Sequence, residues 1–277
     1  DNDTPVVSIS GPVTYNEAAG TASYTITLSN PATTPVSVTV ATASGSATSG
    51  SDFDAVNTAI TFAPGVTSQT VTVTLTNDPV FEGAETFTVN LSAPSGATLG
   101  TATSTTTITD DGTGTGGNNN DSPAVGSVSS PTVVEGNNLD FNVTLTNPST
   151  TPTTVTLAPA SGTATLGTDT APALVSFDGG LNFVPVVGAT VSVPAGSTSF
   201  IVRVPTVNDT TGEPSEAMTL AASTPANAAP VVGTGTITDN DTPVVSISGP
   251  VTYNEAAGTA SYTITLSNPS STPVSVT

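Results

Sequence analysis

The sequence predicts an all-β protein of tandem immunoglobulin-like β-sandwich modules, about seven strands each, arranged end to end. Three observations support this prediction: apolar residues alternate with Thr and Ser, turn-forming residues separate the alternating segments, and the chain repeats itself. No segment shows a helical period. Because 35% of the residues are hydrophobic and follow an ordered pattern, we expect a folded chain despite its acidic composition.

The alternation has a period of two residues. Tyr24, Ile26 and Leu28 share one face of a segment, and Thr25 and Thr27 occupy the other face. This pattern is typical of strands that are buried on one side. The same alternation recurs in Val36–Val40, Val71–Leu75 and Phe87–Leu91, and turn signals lie at Asn30-Pro31, Pro64-Gly65 and Pro94-Ser95-Gly96.

Internal repetition defines the modules. Residues 1–39 and 239–277 are identical at 37 of 39 positions. A weaker half-period inside that repeat gives a unit of about 120 residues. We therefore predict the following order: the end of a preceding module at 1–3, a first module at 4–111, a Gly/Asn-rich flexible linker at 112–122, a second module at 123–241 with an inserted hairpin near 170–190, and the truncated start of a third module at 242–277.

The chain opens with Asp1-Asn2-Asp3 and not with Met, so we expect it to be an excerpt of a longer protein. Two interpretations of 242–277 stay open. The fragment is either cropped from a complete third module or pairs with a neighbouring chain.

The charge balance excludes several function classes. The chain has 21 acidic residues against one basic residue, Arg203, and it contains neither His nor Cys. Binding of nucleic acid through charge is excluded because phosphates require Lys and Arg. Disulfides, Cys/His zinc sites and the usual nucleophile–base pairs are also missing, so we do not expect an enzyme. No apolar run is long enough to span a membrane.

The acidic residues fall into motifs at strand ends. If consecutive strands run antiparallel, every acidic motif of the first module lies at the same end, which we call the tip. Carboxylates that converge there without basic partners repel one another, and such groups usually pair or bind metal. Oxygen-only ligands favour Ca²⁺ over Mg²⁺, although a solvated acidic loop cluster is the alternative.

Several motifs resemble those of tandem Calx-beta modules, which were recognised in sodium–calcium exchangers and are common in large bacterial surface proteins. The matching segments are Asn16-Glu17, Gly45 to Phe53, Phe62-Ala63-Pro64-Gly65, Asn77-Asp78 through Glu82 to Phe87, and Ile108 to Asp111. The second module keeps the pattern more loosely at Gly162-Thr163-Ala164, Gly167-Thr168-Asp169 and Pro194-Ala195-Gly196.

The resemblance implies a seven-stranded sandwich that binds calcium at its distal tip. By position, it implies as ligands Glu17, Asp52, Asp78, Glu82, Glu85, Asp110 and Asp111 in the first module, and Glu135, Asp169, Asp209, Glu213, Glu216, Asp239 and Asp241 in the second. Asn240 stands where the first module has Asp111, so we expect fewer or weaker ions in the second module. We expect Glu255 to be a poor site because its partners lie beyond Thr277.

The leading functional hypothesis is structural. It describes calcium-binding repeats that form a rigid extender, stalk or filament of a secreted or cell-surface bacterial protein, with a role in adhesion, biofilm or matrix. The expected partners are adjacent modules of the same chain, and like chains if a fibre forms. The alternative is a module that binds a glycan, ice or a receptor. A calcium-sensing regulatory domain is a third hypothesis, against which the near-identical copies argue.

Overall fold

The computed structural model describes residues 3–11, 13–249 and 252–277. Within these ranges the chain is all-β apart from two single-turn 3-10 helices, Glu17–Ala19 and Glu255–Ala257. It divides into two compact units, Asp1–Pro123 with Asn147–Thr151, and Ala124–Thr146 with Pro152–Thr277. The described part holds no helix long and apolar enough to cross a membrane. The predicted all-β sandwich fold is thereby confirmed.

The first unit is a two-sheet sandwich. One sheet has the order β6-β3-β1-β8 and the other β2-β9-β7-β4-β5. The strands are β1 (Val6–Ser10), β2 (Thr14–Asn16), β3 (Thr21–Leu28), β4 (Val36–Ser44), β5 (Asn57–Phe62), β6 (Ser68–Thr74), β7 (Glu85–Ser95), β8 (Thr98–Leu99) and β9 (Thr103–Thr109).

The core of the first unit is built from the apolar face of each strand. Tyr24 and Ile26 of β3 are completely buried, as the alternation predicts. Phe53 and Phe87 stack with ring centroids 4.4 Å apart between the sheets. The Tyr24 hydroxyl lies 2.5 Å from the hydroxyl of Thr106, so this buried polar group is satisfied.

The second unit repeats the sandwich. Its sheets have the orders β10-β12-β17-β14-β15 and β11-β19-β18-β13-β16, and a separate hairpin pairs β20 with β21. The strands are β10 (Val125–Val128), β11 (Thr132–Val134), β12 (Asn138–Leu145), β13 (Thr153–Ser161), β14 (Leu174–Ser176), β15 (Val184–Pro185), β16 (Thr190–Val193), β17 (Ser199–Pro205), β18 (Glu216–Ser223), β19 (Val231–Thr238), β20 (Val245–Ser248) and β21 (Thr263–Leu266).

An extra hairpin distinguishes the second unit. Strands β14 and β15 pair antiparallel, with Leu174 opposite Pro185, in the stretch where the longer sequence predicts an insertion. In the turn between them, Asp178 accepts hydrogen bonds from the backbone of Leu181 and Asn182 and from the Ser176 hydroxyl. The bonds from the Asn182 amide and side chain contribute most, and with those from Ser176 and Leu181 they lower the pKa of Asp178 to about 2.

The single basic residue is fully engaged inside the second unit. Arg203 on β17 forms a bidentate ion pair with Asp140 on β12, with both N–O distances 2.8 Å. Its guanidinium also lies 3.8 Å from the ring centroid of Phe183. The chain therefore has no free Lys or Arg to neutralise the acidic motifs.

Among the described residues of 242–277, β20 and β21 form a small hairpin and Glu255–Ala257 forms a 3-10 turn. Ile247 is 67% exposed and Tyr262 is 60% exposed, whereas the corresponding Ile9 and Tyr24 of the first unit are 3% and 0% exposed. The same sequence is therefore buried in one place and exposed in the other, because burial needs the strands of a complete module.

Candidate metal centres

Strand pairing gathers the acidic residues of the first unit at one edge. Strands β2 and β9 run parallel with Asn16 opposite Thr109, so Glu17 and Asp110 leave the sheet side by side. The Asn16 side chain accepts a hydrogen bond from the amide of Ala18, which starts the 3-10 turn that holds Glu17. In the same sheet, Glu85 begins β7 opposite Ile108.

A buried triad lies at this edge, consisting of Glu17, Asp110 and Asp121. One oxygen of each carboxylate lies within 4.8 Å of the others, and the three residues are only 5%, 2% and 8% exposed. Backbone amides hold two of the carboxylates, since Asp78 donates to Glu17 Oε1 at 3.3 Å and Glu82 donates to Asp110 Oδ2 at 3.1 Å. The other oxygen, Asp110 Oδ1, is buried and has no hydrogen-bond partner among the described residues.

A second group at the first tip consists of Asp52, Glu82 and Glu85, whose carboxylate oxygens also lie within 4.8 Å of one another. These residues are half-buried. Asp52 follows a tight turn in which Gly50 has a φ of 98°, a conformation that favours glycine. The Thr48 amide donates to Asp52 Oδ2 at 2.5 Å and fixes that carboxylate.

The second unit has a corresponding triad, Glu135, Asp239 and Asp241, which is half-buried where the first triad is buried. The Asn240 amide lies 3.5 Å from Glu135 Oε1, and the oxygens Asp239 Oδ1 and Asp241 Oδ2 are buried without a hydrogen-bond partner in the described ranges. A single concave site is lined by the carboxylates of Glu135, Asp169, Asp209, Glu213, Glu216 and Asp239. All predicted ligands of the second module are therefore brought together, either in this site or in the triad.

Burial and mutual repulsion raise the pKa of several of these carboxyl groups. Burial, followed by the charge of Asp110, raises the pKa of Glu17 to about 8. Burial raises the pKa of Asp110 to about 7, and burial with the charge of Asp52 raises that of Glu85 to about 7. The pKa values of Glu135, Glu213 and Glu216 are also raised, with burial as the largest cause. Without a cation, the tips therefore favour protonated carboxyl groups.

Two predicted ligands of the first module lie outside its acidic groups. The exposed Asp111 accepts hydrogen bonds from the amide and the hydroxyl of Thr113. Asp78 accepts one from the Val80 amide at 2.8 Å, although its charge contributes to the raised pKa of Glu17 and Glu82.

Asp121 joins the buried triad but was not among the predicted ligands. The sequence carries a signal for it, because Asp121-Ser122-Pro123 aligns with Asp241-Thr242-Pro243 of the repeat. The resemblance to the family motif, which runs from Ile108 to Asp111, implies Asp111 instead.

The Gly/Asn-rich insert explains how Asp121 reaches the triad. Asp111 pairs with Asn120, and the Asp121 amide donates to the Asp110 carbonyl at 3.0 Å, so the insert leaves the tip and returns to it. Between these ends, Thr115 pairs with Tyr15, and the Asn16 side chain donates to the Asn119 carbonyl at 3.0 Å. We expected a flexible linker here, and the structure instead packs these residues against the first unit.

Two glycines allow the insert to pack so closely. A Cβ atom on Gly114 would lie 2.6 Å from the Asn16 amide nitrogen, and one on Gly117 would lie 2.7 Å from Asn16 Oδ1. Neither position has room for a side chain. The glycine content therefore serves close approach to the Asn16 turn.

The fold and the two acidic tips define a tandem pair of β-sandwich modules with oxygen-rich candidate cation sites. The chain belongs to the Calx-beta domain family, since the family model matches residues 1–112 and 118–241.

Several solved structures are similar to this chain. The apo-form Calx CBD1 domain is 30% identical, with 38% of this chain and 98% of that chain covered and a TM-score of 0.36. The calcium binding domain CBD12 of CALX1.1 is 18% identical, with coverage of 78% and 79% and a TM-score of 0.38. CBD12 from CALX1.2 is 18% identical, with coverage of 80% and 83% and a TM-score of 0.38. No curated protein matches the sequence.

Proposed function

We propose that the two modules bind calcium at their tips and serve as structural extender repeats of a secreted or cell-surface bacterial protein. The observation that carries the proposal is the buried triad. Asp110 is 2% exposed, and one of its carboxylate oxygens has no hydrogen-bond partner among the described residues. A buried carboxylate oxygen without a partner is costly unless a cation or a proton satisfies it.

The protein's own side chains do not supply the missing positive charge. The one basic residue, Arg203, is paired with Asp140, and the chain has no His. The available donors are carboxylate oxygens and loop carbonyls, which are the ligands of hard cations. Calcium fits best because it takes six to eight oxygen ligands with flexible geometry, whereas magnesium keeps most of its waters.

In this proposal, Glu17, Asp110 and Asp121 hold one part of the first tip, and Asp52, Glu82 and Glu85 hold the other. The bound cation supplies positive charge that cancels the repulsion. The chain contributes the orientation, because backbone amides fix Glu17, Asp110 and Asp52 before the cation binds. Binding to such a site stabilises the folded state by linkage.

The structural role is supported by repetition. Residues 1–39 and 239–277 are nearly identical, which suits an array in which each repeat contacts mainly its neighbours. Calcium sites of this kind fill at the millimolar concentrations found outside cells. We therefore place the protein in the extracellular space or on the cell surface, in an adhesive stalk, filament or matrix.

Amide hydrogen exchange of the full chain in EGTA and in millimolar Ca²⁺ tests the proposal. For a structural repeat, calcium should slow exchange most at the tip segments 78–85, 110–121, 209–216 and 239–241, and it should slow the strand amides only by the uniform factor that the linked stabilisation sets. The variant Asp110→Asn should remove the effect at the first tip, while the exposed Asp54→Asn should not. Non-uniform changes within the sheets, with some strand amides exchanging faster in calcium, would favour the calcium-sensing alternative, and no change at the tips would refute calcium binding.

A further inference from the structure

A loop of the first module is similar in sequence to two other loops, and each of those two is hydrogen-bonded to an acidic tip in the structure. The three loops are Asn30 to Thr34, Asn147 to Thr151 and Asn268 to Thr272, each beginning with Asn-Pro and followed by Pro. We call them the Asn-Pro loops. Two of them pair with an acidic tip loop, which runs through 78–85 or 209–216.

In the first unit, the loop Asn147–Thr151 pairs with Phe81 through its backbone. The Phe81 amide donates to the Pro148 carbonyl, and the Thr150 amide donates to the Phe81 carbonyl, both at 2.9 Å. The Asn147 side chain adds bonds to the Pro79 carbonyl at 3.0 Å and to Asp121 Oδ1 at 2.9 Å. Ser149, which lies between Pro148 and Thr150 in this loop, is only 4% exposed.

In the second unit, the loop 268–272 pairs with Gly212 in the same way. The Gly212 amide donates to the Pro269 carbonyl at 2.9 Å, and the Ser271 amide donates to the Gly212 carbonyl at 3.0 Å. Gly212 occupies the position of Phe81 in the tip motif. Since the bonds are made by the backbone, the pairing tolerates a change from Phe to Gly.

The third Asn-Pro loop, Asn30 to Thr34, has the same groups available. The Pro31 carbonyl and the Thr33 amide have no hydrogen bond within the described ranges, and both residues are exposed. Asn30 donates to the Asp3 carbonyl at 2.9 Å, just as Asn268 donates to the Asp241 carbonyl. The loop lines a concave surface with Asp3 to Pro5, Gly96 and Ala97.

We propose that the Asn30 to Thr34 loop is a docking surface for the acidic tip loop of a second Calx-beta module copy. The docked tip loop would pair its central residue with the Pro31 carbonyl and the Thr33 amide. The docking rests on this backbone pairing and not on the proposed function, because Asp121 and Asp241 already supply the third carboxylate of each tip.

The test uses residues 1–241, in which the second tip loop is freed from the loop 268–272. None of the described residues of 242–277 belongs to the core of the second unit, so this shorter chain keeps that core complete. The ¹⁵N-labelled full chain is mixed with unlabelled 1–241 at up to 1 mM in Ca²⁺. We expect saturable shifts of the Thr33, Gly96 and Ala97 amide resonances. Unlabelled full chain is the control, because its Gly212 is already paired, and it should cause no shift.

Matched variants of the labelled chain sharpen the test. Thr33→Pro removes the donating N–H and should weaken binding at least tenfold, whereas Thr33→Ala keeps it and should change binding less than twofold. Absence of shifts at 1 mM, or equal shifts with the full-chain control, would overturn the docking proposal. Calorimetric calcium titration of the same samples separates the docking proposal from the calcium proposal. Calcium binding without resonance shifts would refute docking and leave calcium binding standing. Resonance shifts without calcium binding would refute calcium binding and leave docking standing.

Discussion

The two tips hold corresponding triads, buried in the first unit and half-buried in the second, and the chain closes them in different ways. In the second unit, a single residue, Asn240, separates Asp239 from Asp241. In the first unit, ten residues separate Asp110 from Asp121, and they fold back over the Asn16 turn before returning. Glu17 and Asp110 are 5% and 2% exposed, and burial raises their pKa values to about 8 and 7.

The comparison shows that ligand identity alone does not set the properties of such a site. In the first unit the insert returns Asp121 to the triad, whereas in the second unit Asn240 alone links Asp239 to Asp241. The insert also packs against the turn at Asn16, whose side chain donates to the Asn119 carbonyl. Greater burial makes a bare carboxylate cost more, so a cation at the first tip relieves more repulsion. We therefore expect the first tip to depend on calcium more strongly than the second.

Removing the central carboxylate of each triad should have the largest effect. Asp110→Asn should abolish most of the calcium-linked stabilisation of the first unit, about 2.7 kcal/mol at a free calcium concentration 100 times the dissociation constant. In EGTA the variant should instead be more stable than the parent protein, because it lacks a buried charge. Urea unfolding with and without calcium measures both effects, with Asp239→Asn for the second tip and Asp54→Asn as the exposed control. An equal loss of stability with and without calcium would refute a ligand role.

The pH dependence should separate the two tips next. A carboxyl group whose pKa is raised by folding, such as Glu17 from about 4.5 to about 8, favours the folded state when protonated. Its contribution is fully present below pH 4.5 and is lost as the pH rises through 8. The metal-free protein should therefore be more stable at pH 5 than at pH 8.5. The difference in the free energy of unfolding between these pH values should be larger for the first unit than for the second.

Saturating calcium should reverse this trend, because bound carboxylates must be deprotonated. Unfolding followed across pH in EGTA and in calcium checks the sign. A metal-free protein that gains stability between pH 5 and pH 8.5 would contradict the buried-carboxylate account.

Shortening the insert should convert the first tip into the second. Deleting 112–120 together with Asp111→Asn leaves Asp110-Asn-Asp121, the same arrangement as Asp239-Asn240-Asp241. We expect the calcium affinity of the first tip to fall about tenfold, a change of about 1.4 kcal/mol, toward that of the second tip. Calorimetric titration measures it, and an unchanged affinity would show that the packed insert plays no part in binding.

The smallest expected effect is that of Asp111, which lies at the other end of the insert from Asp121. Asp111 is exposed and bonded to Thr113, whereas Asp121 belongs to the buried triad. Asp111→Asn should leave calcium affinity within twofold of the parent, and Asp121→Asn should lower it at least tenfold. A calcium titration in which Asp111→Asn lowers the affinity more than Asp121→Asn would identify Asp111 as the ligand.

The fold was readable from the sequence because burial follows the period-two pattern. Tyr24 and Ile26 are buried as their alternation predicts, and β14 and β15 fall in the lengthened stretch near 170–190. The gathering of acids at one edge also followed from antiparallel strand direction. Calcium itself stays a prediction.

The insert and Asp121 could not be read in the same way. A Gly/Asn-rich composition is compatible with a flexible linker, and only the structure shows Gly114 and Gly117 against Asn16. Asp121 is ten residues from the nearest predicted ligand, and the bond from its amide to the Asp110 carbonyl restores the proximity. Alternation reports which face is buried, but it carries no information about how a loop returns.

The most direct test of the central claim is a calorimetric titration of the full chain with Ca²⁺ at neutral pH, with Mg²⁺ as the comparison. The account predicts binding that is specific for calcium, in which Asp110→Asn removes the tighter sites, Asp239→Asn removes the weaker ones, and Asp54→Asn changes neither. Failure to bind calcium at millimolar concentration, or equal binding of magnesium, would contradict it and leave both tips as solvated acidic clusters.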